Sequence, residues 1–461
     1  MHSFDDFGLD AALRTGLAAL NYTQPTPIQR AALPFALAGR DLIAQAPTGS
    51  GKTVAFGLAL LARIDPALIR AQALVLCPTR ELAEQVSREL RKLALGIPNL
   101  KLSTLCGGTA LPPQLASLQA HDPQIVVGTP GRIQELMRKK VLHLGGVKTL
   151  VLDEADRMLD MGFEPAIREI SARTAGDRQS LLFSATFPEP IVALAQSLLR
   201  NPERVEVQAE AAQQTAISQH FIETAHSQRG ETLLRALAQT KPASCVVFCN
   251  TRRDTDDIAS LLIERGYSAL ALHGDMEQRD REEVLLRFAN RSARVLVASD
   301  VAARGLDIDD LAAVINLELP HDVEVYTHRI GRTGRAGKTG LAISLVTPAE
   351  MPRALALEDS LGSPLHWLRD LPATGRAAAP PPPPAMVTLR IDAGKTDKLR
   401  PGDIVGALTG DAGLSAESIG KIDIFPTRSF VAIQRKLADL ALQRLRAGKI
   451  KGRSFRVRRV D

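Results

Sequence analysis

Cysteine and aromatic residues are scarce in this chain of 461 residues. Aromatic residues make up 4% of it, and there are four cysteines. Cys77, Cys106, Cys245 and Cys249 form no CxxC pair and have no histidine at zinc-ligand spacing. The sequence therefore predicts neither a disulfide scaffold nor a zinc site. Each cysteine lies in or beside an apolar run, which indicates buried thiols in a reducing cytoplasm.

Long apolar runs are also missing. No stretch approaches the roughly 18 consecutive apolar residues that a membrane-spanning helix needs. The first ten residues are acidic and lack the basic-then-apolar pattern of a secretory signal. A hydrophobic content of 45% with 23% charged residues is typical of a globular protein. We therefore predict a cytoplasmic protein, and its length indicates two or three domains.

Positive charge is concentrated near the C-terminus. Residues 386–461 contain 16 Lys and Arg against 8 Asp and Glu, which puts +8 on this segment and about −2 on the rest of a chain with net charge +6. Eight basic residues and no acidic one lie between Arg444 and Arg459. A patch of one sign attracts polyanions, whereas a solvated helix face usually alternates in sign. The segment therefore favours a nucleic-acid partner over a merely solubilising role.

Strand-like apolar runs alternate with amphipathic helical stretches, and the alternation pauses at the Ala/Gln-rich region near residues 201–216. This pattern is typical of βαβ units and of a parallel sheet buried on both faces. Such sheets bind ligands at the carboxyl ends of their strands. We predict two α/β domains, at residues 1–208 and 209–370.

Proline marks the next boundary. Residues 377–385 read AAAPPPPPA, which predicts an extended polyproline linker within residues 371–385. Residues 386–461 then show the order βαββαβ, which is typical of a small ferredoxin-like or RRM-like α+β domain. The predicted fold class is therefore α/β, with two tandem parallel-sheet domains, a linker and a small α+β domain.

Residues 46–53, APTGSGKT, have the pattern of a phosphate-binding loop between a strand-like run and a helical stretch. Glycines let backbone N–H groups converge on phosphate oxygens, and a helix N-terminus adds positive potential. Lys52 is expected to reach the β- and γ-phosphates of ATP, and Thr53 is expected to bind Mg²⁺. Ala46 stands where the general pattern has glycine. The other loop residues assigned to ATP are Pro47, Thr48, Gly49, Ser50 and Gly51.

Acidic residues end the apolar run that begins at Thr149. Residues 153–156 read Asp-Glu-Ala-Asp, and acids at the end of an apolar strand are costly unless a cation or a polar network receives them. Asp153 is expected to hold Mg²⁺, largely through water. Glu154 is expected to orient or deprotonate the attacking water, because phosphoryl transfer depends mainly on positioning.

These motifs resemble those of the DEAD-box RNA helicases, and the resemblance covers about residues 4–345. It implies RecA-like domains and an adenine-reading element that contains Phe4, Tyr22 and Gln29. The amide of Gln29 matches the N6 and N7 atoms of adenine. Asn21 stands where the family usually has glycine, and asparagine tolerates a positive φ. The residues implied to couple hydrolysis to unwinding are Asp156, Ser184, Thr186 and His328.

The resemblance also assigns residues of the second domain to the ATP site. Arg332 and Arg335, in the run HRIGRTGR, are implied to act as arginine fingers on the γ-phosphate. Such residues contribute on the order of 10³–10⁵ in rate. Gly305 and Asp307 are implied to join the same site. Since neither domain alone completes it, ATP and RNA together are expected to favour a closed state.

RNA contacts are implied for both domains, through phosphates and 2′-hydroxyls. Such contacts carry little sequence information, so the helicase core is expected to show little sequence preference. The residues implied in the first domain are Pro78, Thr79, Arg80, Gly107, Gly108, Thr129, Pro130, Gly131 and Arg132. The residues implied in the second domain are Thr251, Arg252, Gln278 and Arg281.

Specificity is therefore expected from the C-terminal domain, whose layout resembles the DbpA-type RNA-binding domain. The resemblance implies a 23S rRNA hairpin in pre-50S particles as the RNA partner. On the third strand of this domain only Phe430 occupies a position where an RRM stacks bases, so stacking of single-stranded bases is disfavoured. Basic residues in loops are favoured instead: Lys395, Lys398, Arg400, Lys449, Lys451 and Arg453.

Several functions stay open at this point. The favoured one is an RNA-stimulated ATPase and helicase that acts as a monomer on the large ribosomal subunit during its assembly. An ATP-gated RNA clamp without useful unwinding, a general helicase of the cold-shock DeaD type and a DNA helicase are the alternatives. The intact Glu154, the motif from Ser184 to Thr186 and the paired arginines favour the helicase.

Overall fold

The structure is a computed structural model in which three sheets, of seven, six and four strands, organise the chain. It describes residues 3–47, 49–207, 217–303, 311–334, 339–368, 382–411 and 413–460. The described residues form two compact units, one within 3–207 and the other within 217–460. The domain limits at 208, 370 and 385 stay predictions.

The first unit has an entirely parallel sheet with the strand order β3-β4-β2-β5-β6-β1-β7. Helices cover both faces, so the central strands are buried throughout. The strands are β1 (Leu42–Gln45), β2 (Ala73–Leu76), β3 (Leu102–Leu105), β4 (Ile125–Gly128), β5 (Thr149–Asp153), β6 (Gln179–Ser184) and β7 (Glu203–Glu206). The helices are α1 (Ala11–Ala19), α2 (Pro27–Leu37), α3 (Lys52–Leu61), α4 (Arg80–Leu93), α5 (Leu111–Ala120), α6 (Pro130–Arg138), α7 (Ala155–Asp160), α8 (Glu164–Ser171) and α9 (Glu189–Leu198).

Helix α4 shows how the sequence determines these elements. Thr79 precedes the helix, and its Oγ1 accepts a hydrogen bond from the backbone N–H of Leu82 at 3.3 Å, which satisfies a donor left free at the helix start. Apolar residues then recur at helical spacing, so one face of α4 is buried. The buried apolar residues of the helix are Leu82, Ala83, Val86, Leu90 and Leu93.

The second unit begins with a six-stranded parallel sheet in the order β10-β11-β9-β12-β13-β8. Its strands are β8 (Ile217–Glu223), β9 (Cys245–Cys249), β10 (Ala269–Leu272), β11 (Val295–Ser299), β12 (Ala313–Asn316) and β13 (Gly340–Val346). The helices are α10 (Arg229–Thr240), α11 (Arg252–Glu264), α12 (Gln278–Ala289), α13 (Asp300–Ala303), α14 (Val323–Ile330) and α15 (Met351–Leu361).

A four-stranded antiparallel sheet completes the second unit, with the strand order β15-β16-β14-β17. Its elements are β14 (Met386–Ile391), α16 (Pro401–Gly406), β15 (Ile419–Ile424), β16 (Ser429–Gln434), α17 (Ala438–Ala447) and β17 (Val457–Val460). One face of this sheet forms a hydrophobic core with the two helices. The other face packs against α12, which is why the α+β domain belongs to the second compact unit. The predicted fold class is confirmed.

All four cysteines are buried free thiols, as predicted. Burial raises the pKa of Cys106 to about 12, so its reactive thiolate form is rare at neutral pH. Within the described ranges no helix is both long enough and apolar enough to cross a membrane.

A glycine on α1 generates a test of helix packing in the first unit. A Cβ added to Gly16 would lie 1.9 Å from the backbone carbonyl oxygen of Leu93, at the end of α4. We predict that Gly16→Ala lowers the free energy of unfolding by about 1–3 kcal/mol, because the two helices must separate. This loss runs against the helix propensity of alanine, which by itself favours the substitution by about 1 kcal/mol.

Urea unfolding of the first unit within the full chain measures this change. Gly176→Ala is the control, since a Cβ there would meet no heavy atom within 4 Å, and it should change stability by less than about 0.5 kcal/mol. Equal midpoints for Gly16→Ala and the unaltered protein would contradict the contact with Leu93.

Candidate functional site

The motif-bearing loops of the first unit follow strand ends, and the strand order separates them into two groups. The loops after β1, β5 and β6 carry the residues assigned to ATP and coupling, and these strands are neighbours in the order β5-β6-β1. The loops after β2, β3 and β4 carry the residues assigned to RNA, and these strands are neighbours in the order β3-β4-β2. Since β2 pairs with β5, both groups lie side by side along one edge of the same sheet.

The phosphate-binding loop connects β1 to α3. Gly49 and Gly51 have φ angles of 81° and 93°, a left-handed conformation that glycine adopts readily. Lys52 is the first residue of α3, and its buried Nζ donates a hydrogen bond to the carbonyl of Ala46 at 2.9 Å. Among the described residues the Oγ of Ser50 is buried without a hydrogen-bond partner. A buried polar atom in this state fits a site that receives a polar ligand.

The end of β5 carries two buried carboxylates. Asp153 is 3% exposed, and burial raises its pKa to about 7, with Lys52 acting in the opposite direction and Glu154 adding to the rise. A divalent cation fits this place, because a buried carboxylate oxygen is a good ligand and the cation would favour its ionised form. Glu154 has a left-handed backbone with φ 55°, which is uncommon outside glycine and is found at functional sites.

Buried ion pairs and hydrogen bonds fix the acidic motif. Glu154 Oε2 lies 2.9 Å from the guanidinium of Arg157, and both side chains are buried. The carboxylate of Asp156 accepts hydrogen bonds from the backbone N–H groups of Ala185 and Thr186, at 3.2 and 3.1 Å, and from the Thr186 hydroxyl at 3.1 Å. Burial by itself raises the pKa of Asp156, but Lys52, the Ser184 side chain and Arg157 lower it below its ordinary value.

Ser184 joins the acidic motif to the phosphate-binding loop. Its Oγ accepts a hydrogen bond from the backbone N–H of Asp156 at 3.2 Å, and its carbonyl accepts one from the backbone N–H of Ala46 at 3.1 Å. The structure therefore brings together three of the four residues predicted to couple hydrolysis to unwinding. The fourth, His328, lies on α14 in the second unit.

The adenine-reading element contacts the phosphate-binding loop through Gln29. The Gln29 amide accepts a hydrogen bond from the backbone N–H of Thr26 at 2.9 Å and donates one to the carbonyl of Gly51 at 3.0 Å. Tyr22 is 39% exposed; partial burial and Glu89, which accepts its hydroxyl hydrogen bond, raise its pKa to about 12. Phe4 is buried in the hydrophobic core of the first unit.

Asn21 precedes this element with a φ of 56°. Asn21 thus adopts the left-handed conformation that asparagine tolerates better than most residues.

A hydrogen bond joins two of the three loops that carry the residues assigned to RNA in the first unit. The backbone N–H of Gly107 donates a hydrogen bond to the hydroxyl of Thr129 at 3.2 Å, which connects the loop after β3 to the loop after β4. Arg132 donates to the carbonyl of Thr109 at 3.0 Å and is 8% exposed. Its Nη2 atom thus holds the loop after β3, while its Nε lies 3.0 Å from the carboxylate of Glu135. The other residues assigned to RNA here are Pro78, Thr79, Arg80, Gly108, Pro130 and Gly131.

In the second unit, RNA-assigned residues cluster at the ends of β9 and β10. Thr251 caps α11 by accepting a hydrogen bond from the backbone N–H of Asp254 at 3.1 Å. Arg252 forms an ion pair with Asp275, which lies between β10 and α12. Gln278 is the first residue of α12, and Arg281 follows in its first turn.

Arg329 is a residue that the sequence analysis did not single out. It is 2% exposed, and its guanidinium donates two hydrogen bonds to the carboxylate of Asp300, at 2.7 and 2.6 Å. Further bonds reach Asn316 and Asn250, at 3.2 and 2.8 Å. Arg329 therefore ties together the ends of β9, β11 and β12. Its position in the arginine-rich run HRIGRTGR is the sequence feature by which Arg329 could have been found.

Some predicted residues of the ATP site are not placed. Thr48, Gly305, Asp307 and Arg335 lie outside the described residues. Arg332 is described and lies two residues beyond the end of α14, where its carbonyl accepts a hydrogen bond from the backbone N–H of Leu311 at 3.2 Å.

The two basic loops of the C-terminal domain lie against each other. The Nζ of Lys451 donates a hydrogen bond to the carbonyl of Lys398 at 2.9 Å and lies 3.7 Å from the carboxylate of Asp403. All six basic residues predicted to bind RNA here are at least partly exposed: Lys395, Lys398, Arg400, Lys449, Lys451 and Arg453. Phe430 is 1% exposed and contacts Leu286 of α12, so this aromatic ring cannot stack on a base in this arrangement.

Three protein families match successive parts of the chain. The DEAD/DEAH box helicase family matches residues 26–194, and the helicase conserved C-terminal domain matches residues 228–337. The DbpA RNA binding domain matches residues 388–459. These three segments correspond in order to the three sheets.

Curated relatives and solved structures agree with this assignment. The ATP-dependent RNA helicase DbpA of Escherichia coli (strain K12) is 52% identical over 450 residues, which cover 98% of this chain and 97% of that protein. The ATP-dependent RNA helicase CshA of Listeria monocytogenes is 43% identical over 360 residues, 78% of this chain and 69% of that protein. The structure of S. cerevisiae Dbp5 bound to RNA and ADP BeF3 is similar with a TM-score of 0.72 and 31% identity, over 79% of this chain and 95% of that chain.

The two parallel sheets are therefore RecA-like domains, and the antiparallel sheet belongs to a DbpA-type RNA-binding domain. Because a relative more than half identical spans almost the whole chain, this protein belongs to the DEAD-box family of ATP-dependent RNA helicases, and it is an ATPase that acts on RNA.

Proposed function

We propose that this helicase remodels 23S rRNA locally during assembly of the large ribosomal subunit, and that its C-terminal domain selects an rRNA hairpin. The observation that carries the proposal is the pair of basic loops around Lys398 and Lys451, which are hydrogen-bonded to each other. They lie in the domain that matches the DbpA RNA binding domain. Adjacent loops of positive charge fit a compact folded RNA, whose phosphates are closely spaced.

Most of the residues assigned to ATP hydrolysis lie in the first unit. The glycine-rich loop and Lys52 bind the phosphates, and Glu154 orients the attacking water from its left-handed position at the end of β5. Mg²⁺, held by Thr53 and Asp153, would neutralise charge on the β- and γ-phosphates. Arg332 and Arg335 act on the γ-phosphate in the closed state, as the family resemblance implies.

Coupling begins at Ser184 and Asp156. Ser184 accepts hydrogen bonds from both the phosphate-binding loop and the acidic motif, and Asp156 receives three donors from residues 185 and 186. A displacement of the loop by nucleotide therefore changes the hydrogen bonds that hold Thr186. Through this route the state of the nucleotide would reach the segment that follows β6.

The RNA-bound core grips one strand through its backbone and releases it after hydrolysis. Backbone contacts are insensitive to sequence, so the core alone unwinds any short duplex delivered to it. Sequence or shape selection then depends on the C-terminal domain. A monomeric state and a cytoplasmic location stay predictions.

Hydrolysis is tested at Lys52. We predict that Lys52→Ala lowers RNA-stimulated phosphate release at least about 100-fold, because the phosphates lose a cation that is buried at the start of α3. Lys92→Ala, on the exposed side of α4, is the control for removal of one positive charge and should behave like the unaltered protein. Full activity of Lys52→Ala at saturating ATP and RNA would refute the assigned phosphate site.

RNA selection is tested by removing the C-terminal domain. We predict that a chain ending at Ala385 keeps a weak ATPase that tiled 23S rRNA fragments, oligo(U) and unrelated RNA stimulate equally. The full chain should respond best to a small set of adjacent fragments. If the shortened protein still prefers those fragments, the selecting role of the domain is wrong.

Charge reversal in the full chain complements the truncation, because it leaves the packing on α12 intact. Lys395→Glu with Lys449→Glu should raise the concentration of the best fragment needed for half-maximal ATPase about 10-fold or more, since binding weakens with every phosphate that is no longer neutralised.

The same ATPase assay separates the alternative functions. Tight RNA binding with negligible turnover supports an RNA clamp, and equal stimulation by DNA supports a DNA helicase.

A further inference from the structure

Helix α12 covers the face of the C-terminal sheet that lies opposite its own core. Phe430 and Val460 point from this sheet toward Leu286 of α12, and all three are less than 10% exposed. Phe425 packs edge-on against Phe430, with ring centroids 5.7 Å apart. An apolar contact of this kind stabilises the docked arrangement but has little directional preference.

Buried hydroxyl groups form hydrogen bonds, which are directional, across the same interface. Thr388, on β14, is fully buried, and its Oγ1 lies 2.6 Å from the hydroxyl of Ser292. Asn290, the residue after α12, donates a hydrogen bond to the same Oγ1 at 3.3 Å. Since hydrogen bonds require particular distances and angles, these contacts fix how far β14 can slide along the end of α12.

A charge pair fixes the other end of the interface. Arg428 donates a hydrogen bond to Glu282 at 2.8 Å, and the two side chains are only 12% and 18% exposed. The guanidinium of Arg428 also lies over the rings of Phe425 and Phe430, 5.4 and 5.8 Å from their centroids. A shielded pair of this kind is screened little by salt, and its geometry is restricted by the rings beside it.

The same helix carries residues assigned to RNA. Gln278 and Arg281 occupy the first turn of α12, and Glu282 follows directly. Along a helix, four residues correspond to about 6 Å. The pair of Glu282 and Arg428 is thus one helical turn from the residues of α12 assigned to RNA. A longer ion pair, with 3.9 Å between Arg390 and Glu283, joins the same helix to β14.

We propose that Glu282 and Arg428 are positioning residues: they hold the C-terminal domain on α12 so that an RNA hairpin bound by its basic loops is presented at a fixed place relative to Gln278 and Arg281. The inference rests on the proposed function. Its consequence is that a hairpin-bearing RNA stimulates hydrolysis through the orientation of the domain and not only through its affinity. Loosening the pair should then lower stimulation while leaving RNA binding unchanged.

Four full-chain variants test the pair, and a fifth serves as the control. Arg428→Glu and Glu282→Arg each place like charges together, and the double variant restores an opposite pair in reversed order. Arg428→Gln is a milder change in case a reversal prevents folding. Arg265→Glu is the matched control, because Arg265 belongs to an exposed ion pair with Glu231 in the same unit. Oligo(U)-stimulated ATPase shows that each variant is folded.

The RNA probe is the 23S rRNA fragment that stimulates the unaltered protein best, with oligo(U) as the untargeted reference. For both single reversals we expect fragment affinity within about twofold of the unaltered protein, since the basic loops are untouched. The maximal fragment-stimulated kcat should fall about 10-fold, toward the oligo(U) value. The double variant should recover to within about threefold of the unaltered protein.

A distance measurement reports directly whether the C-terminal domain is held in one position on α12. Cysteines introduced at Arg253 and Asp439, which are 88% and 90% exposed, can carry a fluorophore pair, while the native thiols are buried. The distribution of distances should be narrow in the unaltered protein and in the double variant. It should broaden in both single reversals.

Each other outcome overturns the proposal. A broad distribution with undiminished fragment stimulation would show that orientation does not matter. A narrow distribution of distances in Arg428→Glu would show that the pair does not hold the C-terminal domain on α12. If Arg265→Glu lowered the fragment-stimulated kcat equally, the effect would come from the change in charge alone. Failure of the proposed function is distinguishable, because the unaltered protein would then prefer no 23S rRNA fragment.

Discussion

The parallel arrangement of the seven-stranded sheet is the constraint on which the function depends. Because all its strands run in one direction, every loop that follows a strand emerges at the same edge. The strand order then decides which loops are neighbours. Loops after β5, β6 and β1 carry the residues assigned to ATP and coupling, loops after β3, β4 and β2 carry the residues assigned to RNA, and β2 pairs with β5 between them. A different order would place the same motifs too far apart to communicate.

Buried charge is tolerated at these strand ends because each group has a partner. Glu154 pairs with Arg157, Asp156 receives hydrogen bonds from the backbone after β6, and in the second unit Arg329 is held by Asp300. Asp153 differs from these groups, because burial raises its pKa and so disfavours its ionised form. That unfavourable state is what a bound cation would relieve, so stability is given up at the place where ligand binding can restore it.

The sequence predicted what depends on local pattern. Strand β5 and the acidic residues that end it were predicted because a fully buried parallel strand is apolar throughout. Strand β3 was not singled out, since this edge strand reads LSTL and is only partly apolar. Arg329 was missed for another reason: a buried arginine looks like a surface one until the partners from three distant strands are known.

The packing of the C-terminal sheet on α12 could not be predicted either, because no local pattern encodes it. Phe430 looked like the remnant of a base-stacking platform, and its actual neighbours, Leu286 and Val460, are distant in sequence. Once the sheet face is occupied by protein, RNA has access only to the loops and edges, where the basic residues lie. Under the proposal, the domain thereby separates two tasks: the face on α12 fixes its orientation, and the exposed loops supply positive charge for RNA.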